Sequence, residues 1–420
     1  MCGIAGLLGN GSLEDAISMA SAIGHRGPDG SGDFLADVEQ ANGSVAFSHA
    51  RLSIIDLDGS HQPIHSDHGC VLMVNGEIYN HQKIKSTLRD YPFRTAGDSE
   101  VIMALHRKYS WNQPVGKNPA ERHIEWVSKL DGMWGFSLWD PKAKELILCR
   151  DPFGIKPLVR TQLSDGTLLF GSEVKTFRGH PDFTAKPDIS ALSVRLAYEY
   201  PLDQTTLFQG VTSVGIGTIE TWSLAEGKAT LTGVAKYWKP RLIPSENWSP
   251  STNASQLLNS LRDSIQDRLM ADVPVGIVLS GGLDSSLMAA LAHDTADSAG
   301  KPTPECWTVA DSEENVDLQA SITVTKNHDL GHHVHIMDEN TMRKKLPEFV
   351  WNGEDLDITV MFWQSVFEQM KGNVTVALCG QGADELHAGY SRYRALTEHS
   401  NVVKSRLSLA GQISISENDR

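Results

Sequence analysis

Cysteine is scarce in this chain: five in 420 residues, at Cys2, Cys70, Cys149, Cys306 and Cys379. The number is odd, and the spacing suits neither a zinc motif nor a disulfide framework. Such a set fits a reducing compartment, so the expected location is the cytoplasm. Positive charge is in deficit, with 37 Lys and Arg against 52 Asp and Glu, a formal net charge of -15. That balance repels phosphate backbones and anionic lipid, which argues against nucleic acid or a membrane surface as partner. No run of apolar residues reaches the length of a bilayer span. The first thirty residues lack the basic start and apolar core of a secretory signal, so none is expected. Internal repeats and low-complexity tracts are absent, as is the phosphate-binding pattern G-x4-G-K-[ST].

The remaining composition, 40% hydrophobic and 21% charged, is that of a globular protein. Its length exceeds one ordinary core, so two domains are expected. The first half carries short apolar runs separated by Gly, Asp and Asn: Val45 to Leu57, Cys70 to Val74, Met133 to Trp139, Leu146 to Cys149 and Leu168 to Phe170. This is a β-rich layout. Helices are expected from His81 to Tyr91 and from Ser99 to Tyr109, the second capped by Asp98. From Lys239 to Ser255 the composition turns to Pro, Ser, Asn and Trp, as in a linker. Beyond it, Leu257, Leu258, Leu261, Ile265 and Leu269 mark an amphipathic helix and Val275 to Leu279 a buried strand. Strand-like runs at Cys306 to Val309, His333 to Ile336 and Val374 to Leu378 then alternate with helical stretches. That alternation predicts a parallel, doubly wound sheet with ligand sites at the strand C-terminal ends.

Cys2 lies directly behind Met1 and before the apolar run Gly3-Ile4-Ala5-Gly6. Once Met1 is removed, one residue holds both a thiol nucleophile and an α-amine able to act as base near neutral pH. Polar clusters follow at the ends of apolar runs: His25-Arg26-Gly27-Pro28-Asp29-Gly30, Arg51, Asn75-Gly76-Glu77 and Gly97-Asp98-Ser99. Removal of the amide of glutamine needs such groups. Asn75 and the backbone N–H of Gly76 suit an oxyanion. The Arg51 fork suits the α-carboxylate, and Glu77 and Asp98 suit the α-ammonium. Taken singly, each has an ordinary structural reading as an ion pair, a turn or a cap. In this order, together with Leu130-Asp131-Gly132-Met133-Trp134-Gly135-Phe136 and Arg150 to Leu158, they resemble the class II glutamine amidotransferase domain. That resemblance implies an α+β N-terminal-nucleophile (αββα) fold, a thioester on Cys2, and ammonia passed inside the protein to a second site.

Ser280-Gly281-Gly282-Leu283-Asp284-Ser285-Ser286 follows the strand-like run and opens a helix. Small residues let backbone N–H groups close around phosphate at a helix N-terminus, and Asp284 offers a carboxylate to Mg2+. SGGLDS resembles the PP-loop signature, which implies cleavage of ATP at the α-phosphate and an α/β doubly wound parallel-sheet PP-loop domain. A second segment, Cys379-Gly380-Gln381-Gly382-Ala383-Asp384-Glu385, supplies Asp384 as the opposite metal ligand. Both halves together resemble glutamine-hydrolysing asparagine synthetases. The family's adenosine-binding positions fall here on Val278 or Leu279, Val309 and the Cys379-Gly380 backbone, beside Ser280, Gly281, Gly282 and Ser285. The substrates so implied are L-glutamine, ATP and L-aspartate; a homodimer is left open. The expected layout is an amidotransferase domain over 1–240, a linker over 241–255, a synthetase domain over 256–400 and a polar tail over 401–420.

Two features depart from that pattern. The best-known asparagine synthetases carry Glu where this chain has Gln381, while other branches of the family carry Gln, and those enzymes continue into a helical region supplying a Lys. Glu354 and Asp355 in the acidic loop, or Glu385, are the alternative base or substrate-wall candidates, and Lys344, Lys345 or Lys404 the alternative cations. The histidines His328, His332, His333 and His335 are read as structural, since neighbours on a strand alternate faces. Two rival readings follow: a same-scaffold enzyme acting on another carboxylic acid, and a glutaminase or regulatory protein with an incomplete synthetase site.

Overall fold

The computed structural model describes residues 1–198, 201–202, 204–240, 249–357 and 360–409. The chain folds as two compact units, one on either side of segment 241–248.

Two antiparallel six-stranded sheets make up the first unit. One runs in spatial order β10 (Val211–Ser213), β8 (Val159–Gln162), β9 (Leu168–Gly171), β1 (Gly3–Gly9), β3 (Ser44–Arg51), β2 (Gly30–Asp37). The other runs β12 (Lys228–Lys236), β11 (Thr218–Ala225), β7 (Glu145–Arg150), β6 (Gly132–Asp140), β5 (Val71–Ile78), β4 (Ile64–His65). The period-2 alternation of strand side chains accounts for the layers. In β5, Val71 and Met73 join Ile4, Phe47 and Trp139 in the core between the sheets. Leu72 and Val74 point the other way, against α2 (His81–Thr87), α3 (Glu100–Tyr109) and α4 (Ile124–Val127), through Ile84, Val101, Ile102 and Trp126. On the far side, Ala5, Leu7 and Ala46 pack on Ala16 and Met19 of α1 (Leu13–Ser21). Helix, sheet, sheet, helix is the expected αββα order. One further helix, α5 (Ile189–Tyr198), follows these layers.

Asp98 does not cap α3. Ser99 occupies that position with no side-chain cap bond, and Asp98 Oδ2 instead accepts from the Ile78 N–H at 2.7 Å. The last amide of β5 thereby gains its acceptor, and the start of α3 is tied to the strand that carries Asn75.

In the second unit a parallel sheet runs β15 (His332–Ile336), β14 (Glu305–Ala310), β13 (Val275–Val278), β16 (Val376–Leu378). The chain leaves β13 toward β14 and β15 and returns to pair β16 on its other edge. β13 is therefore the topological switch point, where open α/β sheets place their ligands. The connecting helices are α6 (Pro250–Arg268), α7 (Leu283–Ser298), α8 (Val316–Asn327), α9 (Glu339–Gly353), α10 (Val360–Met370), α11 (Ala383–His387) and α12 (Leu396–Leu409). α6 starts inside the segment read as a linker. Ser249 caps it by accepting from Thr252 N and Pro250 takes the first turn, so residues that look like loop chemistry serve as a helix start. Residues 401–409 of the expected tail belong to α12, and 410–420 lie outside the described residues. All five cysteines are free. Among the described residues no helix is long and apolar enough to cross a membrane.

Candidate active sites

Cys2 stands at the mouth of β1, where Gly3 pairs with Ala50 of β3. Its Sγ–H donates to the Leu52 carbonyl at 3.5 Å, and Sγ accepts from the Leu52 N–H at 3.4 Å. Arg26 Nε donates to the Cys2 carbonyl at 2.9 Å. Arg51 is held from behind, its guanidinium donating to the carbonyls of Leu57 at 2.8 Å and Asp56 at 3.0 Å. One cavity is lined by Cys2, Arg51, Asn75, Gly76, Glu77 and Asp98, all the residues read as amide-handling, together with Met1 and Lys156.

Asn75 shares the face of Val71 and Met73 within β5, so its side chain enters this cavity between the sheets. Both its amide atoms are buried and have no hydrogen-bond partner. A buried amide without partners is costly unless a ligand supplies them. Gly76 has no room for a side chain, since a Cβ there would sit 2.3 Å from the Met133 carbonyl. The close pairing of β5 with β6 at Gly76 and Trp134 requires the glycine.

Burial sets the charges of this site. It pushes the Cys2 thiol up, against the Leu52 N–H, and lowers the α-amine of Met1 to about 5, so that amine is neutral at pH 7. Burial also lowers Lys156 and raises Asp98. Asp151 orders the loop beneath Lys156, accepting from the N–H groups of Phe153 (3.0 Å), Ile155 (3.0 Å) and Lys156 (2.9 Å). Glu173 is a residue that sequence reasoning missed. It pairs with Arg26, with Lys175 at 2.5 Å and with His25 at 3.2 Å, and so anchors the side chain that holds the Cys2 carbonyl. It lies 147 residues from Arg26, and no local pattern announces it.

In the second unit a cavity of about 490 Å³ opens at the switch point. It is lined by Val278, Leu279, Ser280, Gly282, Asp284, Ser285, Val309, Gly380, Gln381 and Asp384 of the expected set, and also by Asp311, Asn315 and Asp317. Gly281 turns the loop with φ at +80°, and a Cβ there would meet the Asp317 carbonyl at 2.2 Å. Ser285 Oγ accepts from the Ser280 N–H at 3.2 Å and donates to the Gly282 carbonyl at 3.3 Å, closing the loop on the first turn of α7. Gly282 caps α7 with no side-chain bond, leaving its leading N–H groups for a ligand. A Cβ on Gly380 would lie 3.1 Å from Ser285 N and 3.3 Å from Asp284 Cβ, so the two expected nucleotide segments touch.

Gly281 and Cys379 flank this lining without belonging to it. Glu354 and Glu385 stand apart. Glu354 closes α9 in a left-handed conformation, and Glu385 accepts from the Tyr390 hydroxyl at 2.8 Å. Lys345 pairs with Glu368. Among the described residues lining the cavity none is Lys or Arg. Two histidines of β15 have partners: His332 bonds Thr308 Oγ1 at 2.8 Å, and His333 stacks on Trp307 with centroids 4.5 Å apart.

Residues 1–238 match the family model described as glutamine amidotransferase domain, and residues 256–416 the one described as asparagine synthase. The chain belongs to the glutamine amidotransferase family. Its amidotransferase unit is the four-layered one and its synthase-like unit the parallel-sheet one. The chain is 32% identical over 424 residues to a putative glutamine-hydrolyzing asparagine synthetase of Mycobacterium tuberculosis, covering 94% of this chain and 61% of that one. It is 31% identical to glutamine-hydrolyzing asparagine synthetase 1 of Bacillus subtilis, with 94% and 60% covered. Against the amidase chry2 of Gibberella zeae the identity is 29%, with 91% and 56% covered. The chain thus spans about three fifths of the length of these relatives.

Proposed function

We propose that this amidotransferase is a glutamine-dependent amide synthetase, with L-aspartate as acceptor and asparagine as product. The observation that carries the reading is Asn75, whose buried, partnerless amide faces the same cavity as the Cys2 thiol. In this reading the thiolate of Cys2 attacks the side-chain carbonyl carbon of glutamine. The α-amine exposed on Cys2 by loss of Met1 takes the thiol proton. Asn75 Nδ2 and the Gly76 N–H receive the oxyanion. Ammonia departs, and water releases glutamate from the thioester. Arg51, Glu77 and Asp98 hold the α-carboxylate and α-ammonium.

At the second cavity, the Ser280–Ser285 loop and the start of α7 hold the phosphates of ATP, with Val278, Leu279, Val309 and the Cys379-Gly380 backbone around the adenosine. A carboxylate oxygen of the acceptor bonds to the α-phosphorus and pyrophosphate leaves. Ammonia then attacks the acyl carbon and AMP leaves. Asp284 and Asp384 line this cavity together. Their hard oxygen donors fit Mg2+, which when bound neutralises phosphate charge. The volume of about 490 Å³ lies within the range of small-molecule sites.

A second reading rests on Gln381 and on the absence of Lys and Arg from the described lining of that cavity. A side-chain amide cannot take a proton, so the acceptor is then a different carboxylic acid, or glutamine hydrolysis runs uncoupled. Two variants test the two-site reading. Cys2→Ala is expected to abolish glutamine use while ammonia-dependent amide formation persists, and Asp284→Asn to stop pyrophosphate release while glutamate release continues. Loss of both activities in either variant, in folded protein, refutes separate sites.

A further inference from the structure

Three side chains far apart in sequence converge beneath α3. Cys70 precedes β5, His106 lies in the last turn of α3, and Asp140 ends β6. Their ligand atoms all lie within 4.8 Å of one another, and all three residues are buried. The spacing of the cysteines predicts no zinc motif; the fold makes the cluster, through the pairing of Val71 with Trp139 that sets Cys70 opposite Asp140.

The cluster borders a buried polar network, in which His123 stacks on His106 and Glu145 pairs with Arg122 and His123. His106 is 1% exposed, and its Nε2 has no hydrogen-bond partner. That atom faces Asp140 Oδ2 at 3.5 Å. The other carboxylate oxygen, Oδ1, accepts from the N–H groups of Lys142 at 2.9 Å and Ala143 at 3.0 Å, which fixes the group in place. Ser66 Oγ accepts from the Cys70 N–H at 3.1 Å and holds the turn that presents the thiol. Second-shell bonds of this kind orient metal ligands.

We propose that Cys70, His106 and Asp140 form a Zn2+ site that pins α3 to the sheet. Thiolate, imidazole and carboxylate are the donors zinc takes, and one thiolate with one carboxylate balances the divalent charge. Bond lengths of about 2.0–2.3 Å put tetrahedral ligands about 3.3–3.8 Å apart. The 3.5 Å between His106 and Asp140 already meets that edge, and the remaining pairs, all within 4.8 Å, close by at most about 1.5 Å. Water takes the fourth position. The ion joins the far ends of α3, which opens beside Asp98, and of β5, which carries Asn75, Gly76 and Glu77. It braces the frame of the amide-handling cavity without touching it.

Full-length protein stripped by a chelator and titrated with Co2+ tests this. One equivalent is expected to bind with thiolate-to-cobalt absorption in the near ultraviolet. Cys70→Ala and His106→Gln remove that band, and Cys379→Ala keeps it. Should the first two variants fail to fold, the stripped wild-type chain still decides. Zn2+ at a hundredfold excess over its dissociation constant is expected to raise the Tm of the first unit by about 5 °C. Absence of a stoichiometric thiolate band in the wild type, its survival in Cys70→Ala, or an unmoved Tm overturns the proposal.

Discussion

Replacing Glu173 by Gln removes one negative charge and leaves the volume unchanged. The carboxylate is only 11% exposed, and Arg26 and Lys175, its partners, are 7% and 3% exposed. Burial alone pushes Glu173 up, but His25, Arg26 and Lys175 outweigh it and hold it at about 2, below the ordinary 4.5. A folded value below the unfolded one means that the carboxylate stabilises the fold fully above about pH 4.5 and that this contribution is lost as pH falls toward 2. The shift corresponds to about 3 kcal/mol, roughly 6 °C in Tm for a unit of this size. Urea unfolding of the first unit, followed through Trp126, Trp134 and Trp139, measures it. Glu173→Gln is expected to cost about 3 kcal/mol at pH 7 and only about 1 kcal/mol at pH 3, because the wild type has by then lost most of the contribution. A gap that stays constant between these pH values, or is absent at pH 7, refutes the reasoning.

Two further outcomes follow from the site geometry. Asn75→Ala should lower glutaminase kcat by about 10²–10³, with KM little changed, if the amide serves the oxyanion; steady-state glutamate release reads this, and an unaltered kcat sinks the assignment. Gly281→Ala places a Cβ 2.2 Å from the Asp317 carbonyl at a φ of +80°, so pyrophosphate release should fail while glutaminase continues. Normal pyrophosphate output would show that the loop is not the phosphate cradle.

The β-rich first half was legible in short apolar runs such as Val71 to Val74, and the order of its layers came with the resemblance to class II glutamine amidotransferases. The polar residues were legible where an apolar run gives way to Asn75-Gly76-Glu77, although β5 itself continues to Ile78. Glu173, its contact with Arg26, and the Cys70–His106–Asp140 cluster were not, since these partners lie far apart in the chain and no spacing encodes such a contact. The start of α6 was misread because Ser249 and Pro250 serve caps and loops alike. Asp98 was misjudged as a cap because the amide it accepts from belongs to β5.

The most direct test of the coupled two-site reading is an end-point assay by mass spectrometry with amide-15N-glutamine, Mg2+, ATP and L-aspartate. The account predicts 15N-asparagine with matching amounts of glutamate, AMP and pyrophosphate. Glutamate released without AMP, with no labelled asparagine, contradicts it.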